Sequence, residues 1–117
     1  MTHYIVLMTL PESGAPTKDH ASEQKAIAEA FAKAGGTLQS MIWTLGRYDV
    51  VAHVEVDTAA LNRERAAAHE GELSSHEVAA GFAYWLKKKL GVRTETLIGL
   101  DQASMNNAGW VSERCGG

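Results

Sequence analysis

The sequence predicts an α+β domain in which one four-stranded antiparallel sheet carries two helices on one of its faces. Three observations lead there. Four segments have the alternation or continuous apolar character of strands, two others repeat apolar residues at helical spacing, and together they run in the order β-α-β-β-α-β. A chain of 117 residues, 45% hydrophobic and 21% charged, is long enough to bury one core and too short for two ordinary domains.

Residues 3–10 open the domain with the run Tyr4-Ile5-Val6-Leu7-Met8-Thr9-Leu10, which Pro11 ends. A run apolar on both faces belongs in the middle of a sheet. Residues 11–16 have loop chemistry, and Thr17 or Ser22 can cap the helix that follows, with Asp19 or Glu23 near its positive end. Within that helix Gln24, Ile27, Ala28, Phe31 and Ala34 share a face, while Glu23, Lys25, Glu29 and Lys33 stay in water. Gly35-Gly36 then supplies a left-handed stop.

Residues 37–45 and 48–56 read as a hairpin closed by a tight turn at Gly46. In the second strand Val50, Ala52, Val54 and Val56 alternate with Asp49, Val51, His53 and Glu55. On the first, Leu38, Ser40 and Ile42 oppose Gln39, Met41, Trp43 and Leu45. Strict alternation therefore sets the aliphatic face under the helices and leaves Met41, Trp43 and His53 on the other.

Thr58 is placed to cap a helical piece running to about His69, which Gly71 interrupts. Ser74 and Glu77 have capping-box spacing ahead of an apolar stripe of Val78, Phe82, Trp85, Leu86 and Leu90. Lys87, Lys88 and Lys89 favour the negative helix end, and Gly91 stops it. Residues 92–100 form the fourth strand, with Val92, Thr94, Thr96, Ile98 and Leu100 opposite Arg93, Glu95, Leu97 and Gly99. Residues 101–117 show no convincing period and read as an arm or frayed tail.

Right-handed crossovers turn this order into a ferredoxin-like βαββαβ domain over residues 1–100, with a helical insertion at about 62–76. Helices on one side leave a second face showing Trp43, Met41, Val51, Leu97 and Ile5, an apolar patch that monomers rarely expose. A two-fold dimer stacking sheet on sheet, or a higher homo-oligomer, is the expected remedy.

Composition narrows the partners. A net charge of -3 and a pI near 5.9, with Lys87-Lys88-Lys89 the single basic run, argue against nucleic acid. One cysteine, Cys115, allows no intrachain disulfide and no cysteine metal cluster, which suits a reducing cytoplasm. Met1-Thr2-His3-Tyr4 lacks a basic signal-peptide region, and no apolar run approaches the ~20 residues of a membrane span. A cytoplasmic protein with no membrane partner is expected.

The stretch Trp43-Thr44-Leu45-Gly46-Arg47-Tyr48-Asp49-Val50-Val51, followed by Val92-Arg93-Thr94-Glu95-Thr96-Leu97, resembles the GYD-domain family within the dimeric α/β-barrel superfamily. The resemblance runs from about Tyr4 to Leu100. It implies a ferredoxin-like protomer and an oligomer, and no established reaction. Residues 63–76 depart from the family pattern as an insertion.

Each candidate residue has a structural and a functional reading. Burial of Trp43 contributes on the order of 3 kcal/mol, which favours packing over ligand stacking. Beside the turn, Asp49 suits backbone donors more than proton abstraction, and Tyr48 suits plugging a strand end. His53 and Glu55 share a strand face at i,i+2 and can pair an acid with a base or offer two metal ligands, with His3 the nearest third. Arg93 and Glu95 share a face as an ion pair, or Arg93 receives an anionic substrate. His69, Glu72 and His76 would share a helix face but for Gly71. No GxSxG, Walker, dinucleotide or HExxH motif occurs.

The function expected is a small-molecule-binding or regulatory oligomer, with an apolar pocket between sheet and helices near Trp43, Tyr48 and His53, and an apolar or aromatic ligand contacted by Trp43, Tyr48, Arg93 and Glu95. Two alternatives stand beside it: a cofactor-independent enzyme of monooxygenase, decarboxylase or isomerase type using His53 or Asp49 as base, and a purely structural assembly subunit. No cofactor and no metal is assigned.

Overall fold

The computed structural model describes residues 1–11 and 20–116. The expected loop over residues 12–16 and the cap or charge roles of Thr17 and Asp19 lie outside the described residues. The elements are β1 (Thr2–Thr9), α1 (His20–Lys33), β2 (Gly36–Trp43), β3 (Val50–Val56), α2 (Thr58–Ala67), α3 (Ser75–Leu90), β4 (Arg93–Gly99) and α4 (Gln102–Gly116). The sheet has the order β2-β3-β1-β4, with every neighbouring pair antiparallel. Four helices accompany it: the two expected on the sheet, α2 where a helical piece from Thr58 is expected, and α4, which is not. Among the described residues no helix is long and apolar enough to cross a membrane.

β1 lies between β3 and β4, where a strand apolar on both faces belongs. Its Tyr4, Val6 and Met8 are buried with Val50, Ala52, Val54 and Val56 of β3. Above them sit Ile27 and Phe31 of α1 and Val78, Phe82 and Leu86 of α3. The aromatic rings meet edge to face: Phe31 and Phe82 centroids are 4.8 Å apart at 81°, and Tyr4 and Phe82 are 6.1 Å apart at 88°. The Tyr4 hydroxyl donates to the Ser75 carbonyl at 2.8 Å, so the buried ring keeps its polar end satisfied. Burial pushes the Tyr4 phenol above its ordinary pKa.

α3 follows its sequence signals closely. Ser74 Oγ accepts from Glu77 N at 3.1 Å, and the Glu77 carboxylate accepts from Ser74 N at 2.9 Å. Gly91 ends the helix in the left-handed region at φ 66°, with Val92 N donating to the Leu86 carbonyl at 3.2 Å. Elsewhere the boundaries move. Ser22 lies inside the first turn of α1 rather than ahead of it. Asp57, not Thr58, caps α2, because its carboxylate accepts from Ala60 N at 3.0 Å. The segment after α2 is tied back by Asn62, whose side chain accepts from Leu73 N at 2.7 Å and donates to the Leu73 carbonyl at 3.2 Å. Residues 102–116, within the stretch expected as an arm or frayed tail, form α4, with Asp101 accepting from Ser104 N at 2.8 Å ahead of its first turn. None of its residues is buried.

The largest correction concerns β2. Its register against β3 shifts between Leu38 and Ser40: Leu38 pairs with Val54, Ser40 with His53, Met41 with Ala52 and Trp43 with Val50. Gln39 is the extra residue of a β-bulge. One extra residue reverses every later side chain. Met41 and Trp43 therefore face the helices, and Ile42 takes the open face beside Val51. The hairpin turn is also longer than expected, since β2 ends at Trp43 and β3 begins at Val50.

Candidate functional site

The sequence-predicted residues separate into three places. The first is the β2–β3 connection. Thr44 N donates to the Asp49 carbonyl at 2.9 Å, Asp49 N to the Met8 carbonyl at 2.9 Å, and Leu10 N to Asp49 Oδ2 at 2.8 Å. Asp49 thereby fastens the end of β1 to the turn. Tyr48 reaches β4 instead: its hydroxyl donates to Glu95 Oε2 at 2.5 Å, and Arg47 lies 3.7 Å from Glu95 Oε1. The hydrogen bond to Glu95 holds the Tyr48 phenol above its ordinary pKa. Glu95 is thus taken by Tyr48 and Arg47 rather than by Arg93, for which the described residues contain no ion pair.

The second place is the helix-side edge of the sheet. Trp43, 37% exposed, packs its ring 5.2 Å from that of His20 at the start of α1. The bulge has taken it away from His53, so these two do not line one pocket.

The third is the open face. The β1–β3 register sets His3 opposite Glu55, with His53 the diagonal neighbour on the same pleat. His3 Nδ1 lies 3.2 Å from His53 Nε2 and 3.4 Å from Glu55 Oε1. The other carboxylate oxygen of Glu55 accepts from Gln39 Nε2 at 3.1 Å. The three ligand atoms all fall within 4.8 Å of one another, and this is the one such group of three among the described residues. His69, Glu72 and His76 do not converge: His69 turns out of α2 at φ 59°, and His76 lies in α3.

A cavity lies elsewhere again. A groove of about 760 Å³ runs between α1, α2 and α3, lined chiefly by Phe31, Leu61, Leu73, Phe82, Trp85 and Leu90, with Glu29, Lys33 and Glu77 also on its wall. Ala26, Ala30 and Gly81 leave the room, and a Cβ at Gly81 would meet nothing within 4 Å. The sequence predicts an apolar pocket between sheet and helices near Trp43, Tyr48 and His53, but none of those three lines this groove. Its signal was the width of the α3 stripe: Val78, Phe82 and Leu86 are buried against the sheet, whereas Trp85 and Leu90 lie to one side of that line.

In comparison with known proteins, the model of the GYD domain matches residues 4–69. The match covers the β2–β3 turn and ends before α3 and β4, so residues 92–97 lie outside it. No curated protein and no solved structure matches the chain.

Proposed function

The chain belongs to the GYD-domain family, and from that premise we propose that it is an oligomeric small-molecule-binding domain whose helix-side groove takes an apolar or aromatic ligand. The groove carries the reading. Its volume of about 760 Å³ falls within the range of roughly 300–1,000 Å³ typical of ligand pockets. Its wall is aromatic and aliphatic, with charges of both signs from Lys33, Glu29 and Glu77 to orient a polar end. The protomer is of the ferredoxin-like kind, with α2 and α4 added; the antiparallel order β2-β3-β1-β4 and the crossovers through α1 and α3 support this.

The oligomer is a pairing of open sheet faces. Ile42 and Leu97 are 58% and 55% exposed there, and Ile5, Leu7 and Val51 lie between them half-buried. Such a patch favours a second copy. Ligand and partner then occupy opposite sides of one sheet.

Native mass spectrometry of freshly purified protein, with displacement of an apolar fluorescent dye, tests the groove. A co-purified or dye-competing ligand is expected in the wild type and lost in Gly81→Phe, which fills the groove. Equal dye binding by both would refute the reading. A monomer by light scattering at micromolar concentration would refute the sheet pairing.

A further inference from the structure

We propose that His3, His53 and Glu55 form a three-ligand centre for a divalent first-row transition metal of the zinc class, on the face of the sheet opposite the groove. The inference is independent of the groove, sharing no residue with it.

The geometry comes first. Metal–ligand distances of roughly 2.0–2.1 Å at a tetrahedral centre put neighbouring ligand atoms about 3.3–3.4 Å apart. His3 Nδ1 stands 3.2 Å from His53 Nε2 and 3.4 Å from Glu55 Oε1, so two of the three edges already have that length. The remaining edge is no longer than 4.8 Å. A shared Nδ1 also sets a problem that a cation solves. One ring nitrogen cannot donate its single proton well to an imidazole and a carboxylate at once, whereas a metal ion accepts lone pairs from all three.

The ligand type follows. Two imidazoles and one carboxylate suit zinc, cobalt, nickel or ferrous iron, and suit calcium or magnesium poorly. Three protein ligands leave a position open to water or a small anion. On β4 the residue facing His3 is Gly99, where a Cβ would stand 3.3 Å from His3 Cβ, so no side chain at that position presses on His3.

The bulge supplies the second line of argument. Gln39 is the residue that the β2–β3 ladder skips, and its amide donates to the Glu55 oxygen that His3 does not use. Bulges recur where a side chain must be re-aimed beside a functional site. Here the re-aimed amide orients a ligand carboxylate, the role that supporting hydrogen bonds play around metal sites.

The test uses the full chain, stripped with chelator and dialysed, then titrated with Zn²⁺ by calorimetry and with Co²⁺ by absorption. One ion per chain is expected, with intense visible bands of four-coordinate cobalt and a higher melting temperature. His3→Ala and His53→Ala each abolish these signals, Gln39→Ala weakens affinity by about 10–100-fold, and the His69→Ala/His76→Ala double variant binds as the wild type. Circular dichroism confirms that each variant is folded, and His53→Gln replaces any that is not. Absence of binding by the wild type, equal binding by His53→Ala or His53→Gln, or loss only in the His69/His76 double variant would each overturn the proposal.

Discussion

Replacement of Asp49 by alanine removes the acceptor of the Leu10 amide, which donates to Asp49 Oδ2 at 2.8 Å. Leu10 packs partly buried against the core, so its N–H is poorly placed to find water. A hydrogen bond to a charged acceptor contributes about 1.5–3 kcal/mol, and an orphaned donor in such a place costs about as much. We take about 2 kcal/mol. At about 2.1 cal/mol/K per residue, unfolding 117 residues carries an entropy of roughly 0.25 kcal/mol/K, so the melting temperature falls by roughly 8 °C. Asp49→Asn keeps an acceptor oxygen in the same place and should lose less than about 1 kcal/mol. Thermal and urea melts at one fixed protein concentration measure both, and exchange of the Leu10 amide reports the bond itself. Equal losses in the two variants, or no loss in Asp49→Ala, would refute the assignment of this carboxylate as a clamp on β1.

Gly36→Ala overpacks the end of α1, since its Cβ would stand 3.1 Å from the Phe31 carbonyl oxygen and 3.2 Å from Val54 Cγ1; a loss of about 1–3 kcal/mol is expected in urea melts. Gly81→Ala acts in the opposite sense, because it is helical and open to solvent, and a gain of about 0.5–1 kcal/mol is expected. The capping box makes stability depend on pH. Hydrogen bonds from the backbone and hydroxyl of Ser74 hold the Glu77 carboxyl below its ordinary pKa. The stabilisation is therefore present above the unfolded-state pKa and lost as pH falls through the lower folded value. Melts over that acid range should show this component in the wild type and not in Glu77→Gln, which has no carboxyl to titrate.

What could be read in the sequence was whatever a local pattern determines. β1 announced itself as central because Tyr4, Val6 and Met8 alternate with residues that are themselves apolar. Ser74, Glu77 and Gly91 named both ends of α3, because capping chemistry is local. The bulge was invisible: Leu38, Gln39 and Ser40 carry no mark of it, and counting by twos assumes an unbroken ladder, so Met41 and Trp43 were assigned to the wrong face. α4 escaped for a different reason. A helix with no buried residue has no apolar stripe to count, and Asp101 with Ser104 was the available sign. The His53 and Glu55 pair was legible from its spacing, and His3 from the expected strand order. The part of Gln39 was not, because it depends on the bulge. The lining of the groove was not legible, because three helices, distant in sequence, have to be assembled before it exists.

The skipped residue in β2 also bears on how copies of this protein avoid meeting. β2 is an outer strand, and an outer strand with regular spacing offers a row of free amides and carbonyls to any passing chain. An extra residue breaks the spacing of that row and twists the strand locally, so an incoming strand cannot stay in step with it. At the opposite border, β4 sets Arg93 and Glu95 among its exposed residues. Both margins thus discourage indefinite strand-by-strand growth. The proposed pairing through the broad surface of Ile5, Leu7, Ile42, Val51 and Leu97 is of another kind, since a two-fold contact closes on itself and stops.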